Sequence, residues 1–389
     1  MILSTTLVDQ VVDGDRCGTF LKQIVLARPR VAVRPDEPDE RGDVPLAMVR
    51  KRAMLGDPSA LDPELGVGPS KAAVLLIHGY GQNHYAWHLP SRSFANYLAT
   101  DGFDVFNLDL RGHGRSRHLG ARPPKHLAEY VREDVPAAVD EIRRLSEVPR
   151  PVFLVGHSLG GLIAYAAAPA LGSSVAGVVT LGSPYHFTRG SRFLSLVGST
   201  MLTLDRALVL GHGLVPLRHL AEAMRLARVF VESPLFPMPI RGHAPKSMEP
   251  RVLGQHMALA MDRGSLAVMR NMFLRAAEAR ATGHRLGVLY GFASAFEAAD
   301  IPLLIIAGSR DSLAPPDSVR PAYVRSRSSD KTYRVFPRGH IDLLVGRDTT
   351  TTIWPLVATW LTTRARGADN TSPLRTGPRS RAAAAPCQG

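Results

Sequence analysis

At 389 residues, with 45% hydrophobic and 21% charged side chains, the chain can bury a large core without a metal or disulfide staple. Its net charge of +13 excludes little, because 41 of the 47 basic residues are arginine and they are not interleaved with aromatics as in a nucleic-acid-binding module. Two cysteines, Cys17 and Cys387, make no disulfide framework, no signal peptide is read at the N-terminus, and no apolar run approaches the ~18 residues of a membrane helix. The default expectation is a soluble, cytoplasmic protein.

The first 70 residues carry one strand signal, Gly18–Leu26, which can pair antiparallel with Leu7–Val12. Ala27–Ser70 reads as loop, with seven prolines and acidic clusters. From Ala72 onward, short apolar runs alternate with amphipathic stretches. The predicted strands are Ala72–Ile77, Asp104–Leu110, Val152–Val155, Val175–Leu181, Pro302–Ala307 and Thr332–Phe336. Between them lie predicted helices over Ser91–Thr100, Lys125–Leu145, Leu159–Leu171, Pro316–Ser326 and Thr350–Thr362. Runs this apolar suit strands buried on both faces, and the alternation predicts an α/β fold with a mostly parallel, doubly wound sheet.

The alternation breaks between about Tyr185 and Glu297, where only helix-compatible sequence is found. This interval reads as an inserted helical cap. It holds eight of the eleven methionines, which fits either an acyl-chain pocket or ordinary helix packing. Between Pro184 and Ala295, 14 Lys/Arg stand against 6 Asp/Glu, a surplus that suits an anionic substrate, an anionic membrane surface or plain solvated helix faces. The expected organisation is an N-terminal extension (1–70), a first core part (71–184), the cap (185–297), a second core part (298–364) and a disordered tail (365–389).

The sharpest chemical signal is Gly156-His157-Ser158-Leu159-Gly160-Gly161, between a predicted strand and a predicted helix. A serine hydroxyl is a poor nucleophile unless it is exposed beside a base, and a G-x-S-x-G turn lifts it above the sheet edge. Ser158 is therefore the candidate nucleophile. His78-Gly79-Tyr80-Gly81 ends the first strong core strand, where a second oxyanion donor is needed, so the amides of Tyr80 and Leu159 are the candidate oxyanion donors. His78 reads as a structural histidine of that loop. Asp311, in the turn after Leu303–Ala307, is the candidate acid; Asp300 and Asp317 are less well placed, and the turn after Val175–Leu181 carries no acid. His340, following Thr332–Phe336, is the candidate general base and the only one of fourteen histidines that follows a late core strand. Asp109-Leu-Arg-Gly-His-Gly-Arg-Ser116 lacks the Gly-Lys-Ser/Thr of a phosphate loop and reads as a tight loop ordered by Asp109 and Arg111. No metal-ligand spacing is seen and no cofactor is implied.

Together these motifs resemble the α/β-hydrolase superfamily over Ala72–Pro184 and Ile301–Leu361. Trp87-His-Leu-Pro90, the stretch Ser93–Val105 and Tyr130–Ile142 are further similar to the acid-lipase branch. The resemblance implies hydrolysis of carboxylic esters, including lipid esters, through an acyl-enzyme. Leu159 departs from the glutamine usual after the nucleophile in those secreted lipases. The alternatives are an acyltransferase with the same triad, a non-catalytic ligand-binding protein on the same fold, and a membrane-surface module built on the basic cap. A haloalkane dehalogenase is disfavoured, since its nucleophile would be aspartate.

Overall fold

The structure is a computed structural model that describes residues 1–29, 44–56, 64, 66–146, 151–208, 213–226, 242–281, 283 and 291–369. Its main sheet contains β1 (Ile2–Asp13), β2 (Arg16–Ala27), β3 (Leu46–Ala53), β4 (Ala73–Ile77), the two-residue β5 (His88–Leu89) and β6 (Arg92–Ser93), β7 (Asp104–Leu108), β8 (Val152–His157) and β9 (Val175–Leu181). A two-residue ribbon, β10 (Leu214–Val215) with β11 (Gly264–Ser265), stands apart from it. Two late strands, β12 (Leu303–Gly308) and β13 (Lys331–Phe336), complete the main sheet.

The order across the sheet is β13-β12-β9-β8-β4-β7-β3-β2-β1-β6-β5. Every pairing from β7 to β13 is parallel, whereas β3, β2 and β1 continue the sheet antiparallel. After β4 the chain moves to β7 on one side and then to β8 and the later strands on the other. Such a reversal opens a crevice at the C-terminal ends of β4 and β8. The parallel strands other than the edge strand β13 are buried on both faces: Leu75 and Leu154 enter one hydrophobic cluster, while Leu76 and Val155 enter the other. The mostly parallel, doubly wound sheet is thus the one expected.

The expected pairing at the N-terminus is present, with Leu7 opposite Leu21 and Gln10 opposite Gly18. Other expectations need correction. The stretch Leu46–Ala53 read as loop but forms β3, pairing Arg50 with Phe106 of β7. Its three consecutive cations, Arg50-Lys51-Arg52, conceal a strand whose first two are almost fully buried. Arg50 grips Asp104 through Nε and Nη2 at 2.9 and 2.7 Å and lies 5.2 Å from the Phe106 ring. Lys51 donates to Asn96 Oδ1 at 2.7 Å and to Gln10 Oε1, and burial holds its ammonium well below the usual lysine range. Strand β7 stops two residues early because Asp109 and Leu110 turn away, the Leu110 amide donating to His78 Nε2 at 3.2 Å. The helix expected over Lys125–Leu145 is interrupted by a π-helical turn at Tyr130–Asp134.

Between β9 and β12 the described residues form helices at Arg192–Leu208, Leu217–Leu226, Pro250–Gln255, Leu266–Ala281 and Ala293–Ala298. Of the methionines there, Met248, Met257 and Met272 are buried in the hydrophobic clusters, as packing requires, and Met238 lies outside the described residues. The last helix, Thr349–Asp369, extends past its predicted end, and the rest of the expected tail lies outside the described residues. Among the described residues no helix is long and apolar enough to cross a membrane.

The Arg50–Asp104 pair gives a direct test of β3. Arg50→Met strands a buried carboxylate and should cost about 3–5 kcal/mol, whereas Arg50→Met/Asp104→Leu should cost distinctly less. Urea unfolding midpoints check this; equal losses would contradict the pairing.

Candidate active site

The turn after β8 is forced by close packing. The Ser158 backbone lies at φ 53° and ψ −119°, a region that L-residues rarely occupy. Its amide donates to Leu181 O of β9 at 3.0 Å, and the helix Leu159–Leu171 begins at once. That helix passes so near β4 that a Cβ on Gly160 would stand 2.2 Å from Ile77 O. Only glycine fits there, so the turn cannot relax by sliding outward. The Ser158 side chain is left half-buried at the C-terminal edge of the sheet, and among the described residues its hydroxyl has no hydrogen-bond partner.

Asp311 and His340 come from the turns after the adjacent strands β12 and β13. Asp311 Oδ2 accepts from His340 Nδ1 at 2.7 Å, and Oδ1 accepts the amides of Leu313 and Ala314, both at 2.8 Å. With three donors on it, the carboxylate is held rigidly, and the imidazole proton is assigned to Nδ1, leaving Nε2 as the free base. Both side chains are almost fully buried. Ser158 and this pair meet at the end of β9: Leu181 O takes the Ser158 amide, while a Cβ on Gly182 would stand 3.2 Å from both Asp311 Oδ2 and His340 Nδ1.

The loop after β4 closes the other side. A Cβ on Gly79 would lie 3.1 Å from Ser158 Cβ, so this backbone runs directly against the serine. Among the described residues the amides of Tyr80 and Leu159 donate to no protein acceptor. One of these N–H groups directly follows Ser158 in the chain, and the other directly follows the Gly79 that abuts it. His78 is internal to the loop, its Nδ1 facing Gly79 O at 2.9 Å and its Nε2 accepting from Leu110 N. The Tyr80 ring points away and donates to Ser265 O at 2.9 Å.

Three supporting residues escaped the sequence reading. Gln82 Oε1 accepts the Gly79 amide at 3.0 Å and fixes the loop beside Ser158. The buried carboxylate of Asp342 accepts the amides of Gly339 and Ala244, both at 2.9 Å, and so anchors the His340 turn from two sides. The His157 ring lies 4.6 Å from the His340 ring at a tilt of 48°, and its Nε2 approaches His340 O at 3.2 Å; burial first, and the neighbouring His340 next, push it well below the ordinary histidine range. The Asp342 position had a signal, since Ile341-Asp342-Leu343 directly follows the histidine. For Gln82 and His157 the signal lies only in backbone groups that folding brings near.

The Asp109–Ser116 loop is ordered as anticipated. Asp109 accepts from the His84 amide at 2.7 Å, His84 Nδ1 at 2.8 Å and the Arg115 amide at 2.9 Å. Burial alone would raise this carboxyl, but the charge and hydrogen bond of His84 bring it down to about 2. Arg111 is ringed by Glu129, Glu133 and Asp134.

A family model for the alpha/beta hydrolase fold matches residues 72–347, and the chain belongs to that family. A pimeloyl-[acyl-carrier protein] methyl ester esterase of Methylococcus capsulatus is 38% identical over 120 residues, covering 31% of this chain and 39% of the relative. Lipase member K of Mus musculus is 37% identical over 106 residues, covering 25% of this chain and 26% of the relative. The match thus spans well under half the length of these curated relatives. Among solved structures, a thermophilic esterase from Thermogutta terrifontis superposes with a TM-score of 0.53 at 17% identity, covering 88% of this chain and 99% of the other. A monoglyceride lipase variant from Saccharomyces cerevisiae, crystallised with a substrate analog, gives 0.53 at 16% identity, covering 93% and 95%. At these identities the structural likeness shows the fold.

The strain at Ser158 has a measurable consequence. Glycine tolerates this backbone and alanine does not, so Ser158→Gly should be more stable than Ser158→Ala by about 1 kcal/mol, after the entropic cost of glycine. Denaturant melts of the two variants check this; an alanine variant at least as stable as the glycine variant would contradict the strained turn.

Proposed function

We propose that the protein is a serine hydrolase of carboxylic esters working through an acyl-enzyme. The observation that carries the reading is the 2.7 Å His340–Asp311 contact, set against the same strand end that receives the Ser158 amide. His340 Nε2 takes the Ser158 proton as Oγ attacks the ester carbonyl. The resulting oxyanion sits between the amides of Tyr80 and Leu159. The tetrahedral species collapses, the alcohol leaves with the proton from His340, and the acyl group stays on Oγ. Water then attacks the acyl-enzyme, giving its proton to His340, and the acid departs as Oγ is reprotonated. Asp311 holds the ring in the Nδ1–H tautomer and stabilises the imidazolium without itself taking the proton.

Relatives named as a methyl ester esterase and a lipase support ester cleavage over other chemistry of the fold. Apolar acyl esters are the expected substrates. The test is hydrolysis of p-nitrophenyl esters from acetate to palmitate. Ser158→Ala should lower kcat/KM by at least about 10³-fold, and Asp311→Asn by about 10³ to 10⁴-fold with the fold intact. Hydrolysis by Ser158→Ala at the wild-type rate would remove the serine from the mechanism. Transfer of the acyl group to added alcohols in preference to water would make the protein an acyltransferase.

A further inference from the structure

A cavity of about 340 Å³ is lined, among the described residues, by Arg117, His118, Arg218, His219 and Arg263, none of them acidic. These side chains come from three separate segments: the helix Gly114–His118, the first turn of Leu217–Leu226, and the residue before β11. Two described acids adjoin these residues: Glu222, which pairs with Arg225, and Asp262, which is buried and already engaged. Its Oδ1 takes Arg117 Nη1 at 2.8 Å and its Oδ2 takes the Gly114 amide at 2.8 Å. Arg218 and Arg263 form no ion pair among the described residues. Solvated arginines normally diverge from one another. Here three arginines and two histidines from three segments line one concavity, and of the arginines only Arg117 has a carboxylate partner among the described residues.

The cavity is tied to the oxyanion loop. The Asp262 amide donates to Gly81 O at 2.7 Å, and Tyr80 Oη donates to Ser265 O at 2.9 Å. Leu217, which precedes Arg218, packs so tightly on Gly81 that a Cβ there would lie 2.2 Å from Leu217 Cδ1. Thus both Arg218 and Arg263 are adjacent to residues that touch the Tyr80 loop. Guanidinium forks match the geometry of phosphate oxygens, and a neutral acyl chain would gain nothing from them.

We propose that this basic cavity binds a phosphate group carried by the substrate, making the enzyme selective for acyl esters of phosphorylated alcohols. The substrate class rests on the ester-hydrolase reading; the phosphate site itself does not. The experiment compares 1-butyrylglycerol 3-phosphate with 1-butyrylglycerol at fixed ionic strength, using wild type and Arg218→Ala/Arg263→Ala. Calorimetric titration of both proteins with glycerol 3-phosphate and with inorganic phosphate runs beside it. Wild type should favour the phosphorylated ester, and the double variant should lose about tenfold or more of that preference, chiefly through KM. Glycerol 3-phosphate should bind wild type and fail to bind the variant. A preference that is absent, or the same in both proteins, overturns the proposal. Inorganic phosphate that binds as tightly as glycerol 3-phosphate, without any substrate preference, also overturns it, since the site would then serve a free anion. If wild type cleaves p-nitrophenyl butyrate but neither glycerol ester, the proposed substrate class is overturned while the hydrolase reading stands; if it cleaves none of the three, the hydrolase reading fails, and the calorimetry alone decides the site: binding lost in the variant sustains it, and equal or absent binding ends it.

Discussion

The structure turns on the close approach of the helix Leu159–Leu171 to the end of β4. A Cβ on Gly160 would stand 2.2 Å from Ile77 O, and the chain reverses into this helix at Ser158 with a positive φ. Strain of this sort persists only where surrounding packing over-determines it. Here β8 lies between β4 and β9, buried on both faces, and the first ten residues of the helix are buried as well. The stability of the sheet therefore holds the serine in its unusual place, and the loop after β4 is brought against it by the same contact.

Around that turn, buried charge keeps the loops at the C-terminal edge in order. Asp109 gathers His84 and Arg115 on one loop, Arg111 gathers three carboxylates on the next, and Asp342 holds the turn that carries His340. Each group satisfies backbone amides or opposing charges in place of water, without which burial would be prohibitive. The sequence between β9 and β12 uses the same device at Asp262, which joins the Gly114 helix to the loop after β4. A residue far from Ser158 in sequence thereby governs the backbone beside it.

Much of this was legible before folding is considered. Five of the six predicted strands announced themselves because they are largely apolar on both faces, β13 being a half-exposed edge strand, and the glycines around Ser158 because few other contexts need them. His340 and Asp311 stood out by following late strands, and the structure brings them into contact. What stayed hidden depends on partners distant in sequence. The cations of β3 look solvated until Asp104 and Asn96 are placed beside them. Gln82 is an unremarkable polar residue until its oxygen is seen to hold the Gly79 amide. The basic surplus between β9 and β12 was countable, but that two of its arginines line one cavity with Arg117 was not.

The central claim is that Ser158 attacks and that the amides of Tyr80 and Leu159 receive the oxyanion. A crystal structure of the protein after reaction with a fluorophosphonate tests both at once. The account predicts a covalent bond from Ser158 Oγ to phosphorus, with one phosphonyl oxygen about 3 Å from each of the two amides. An unmodified Ser158, or an adduct whose oxygen turns away from both amides, would contradict it.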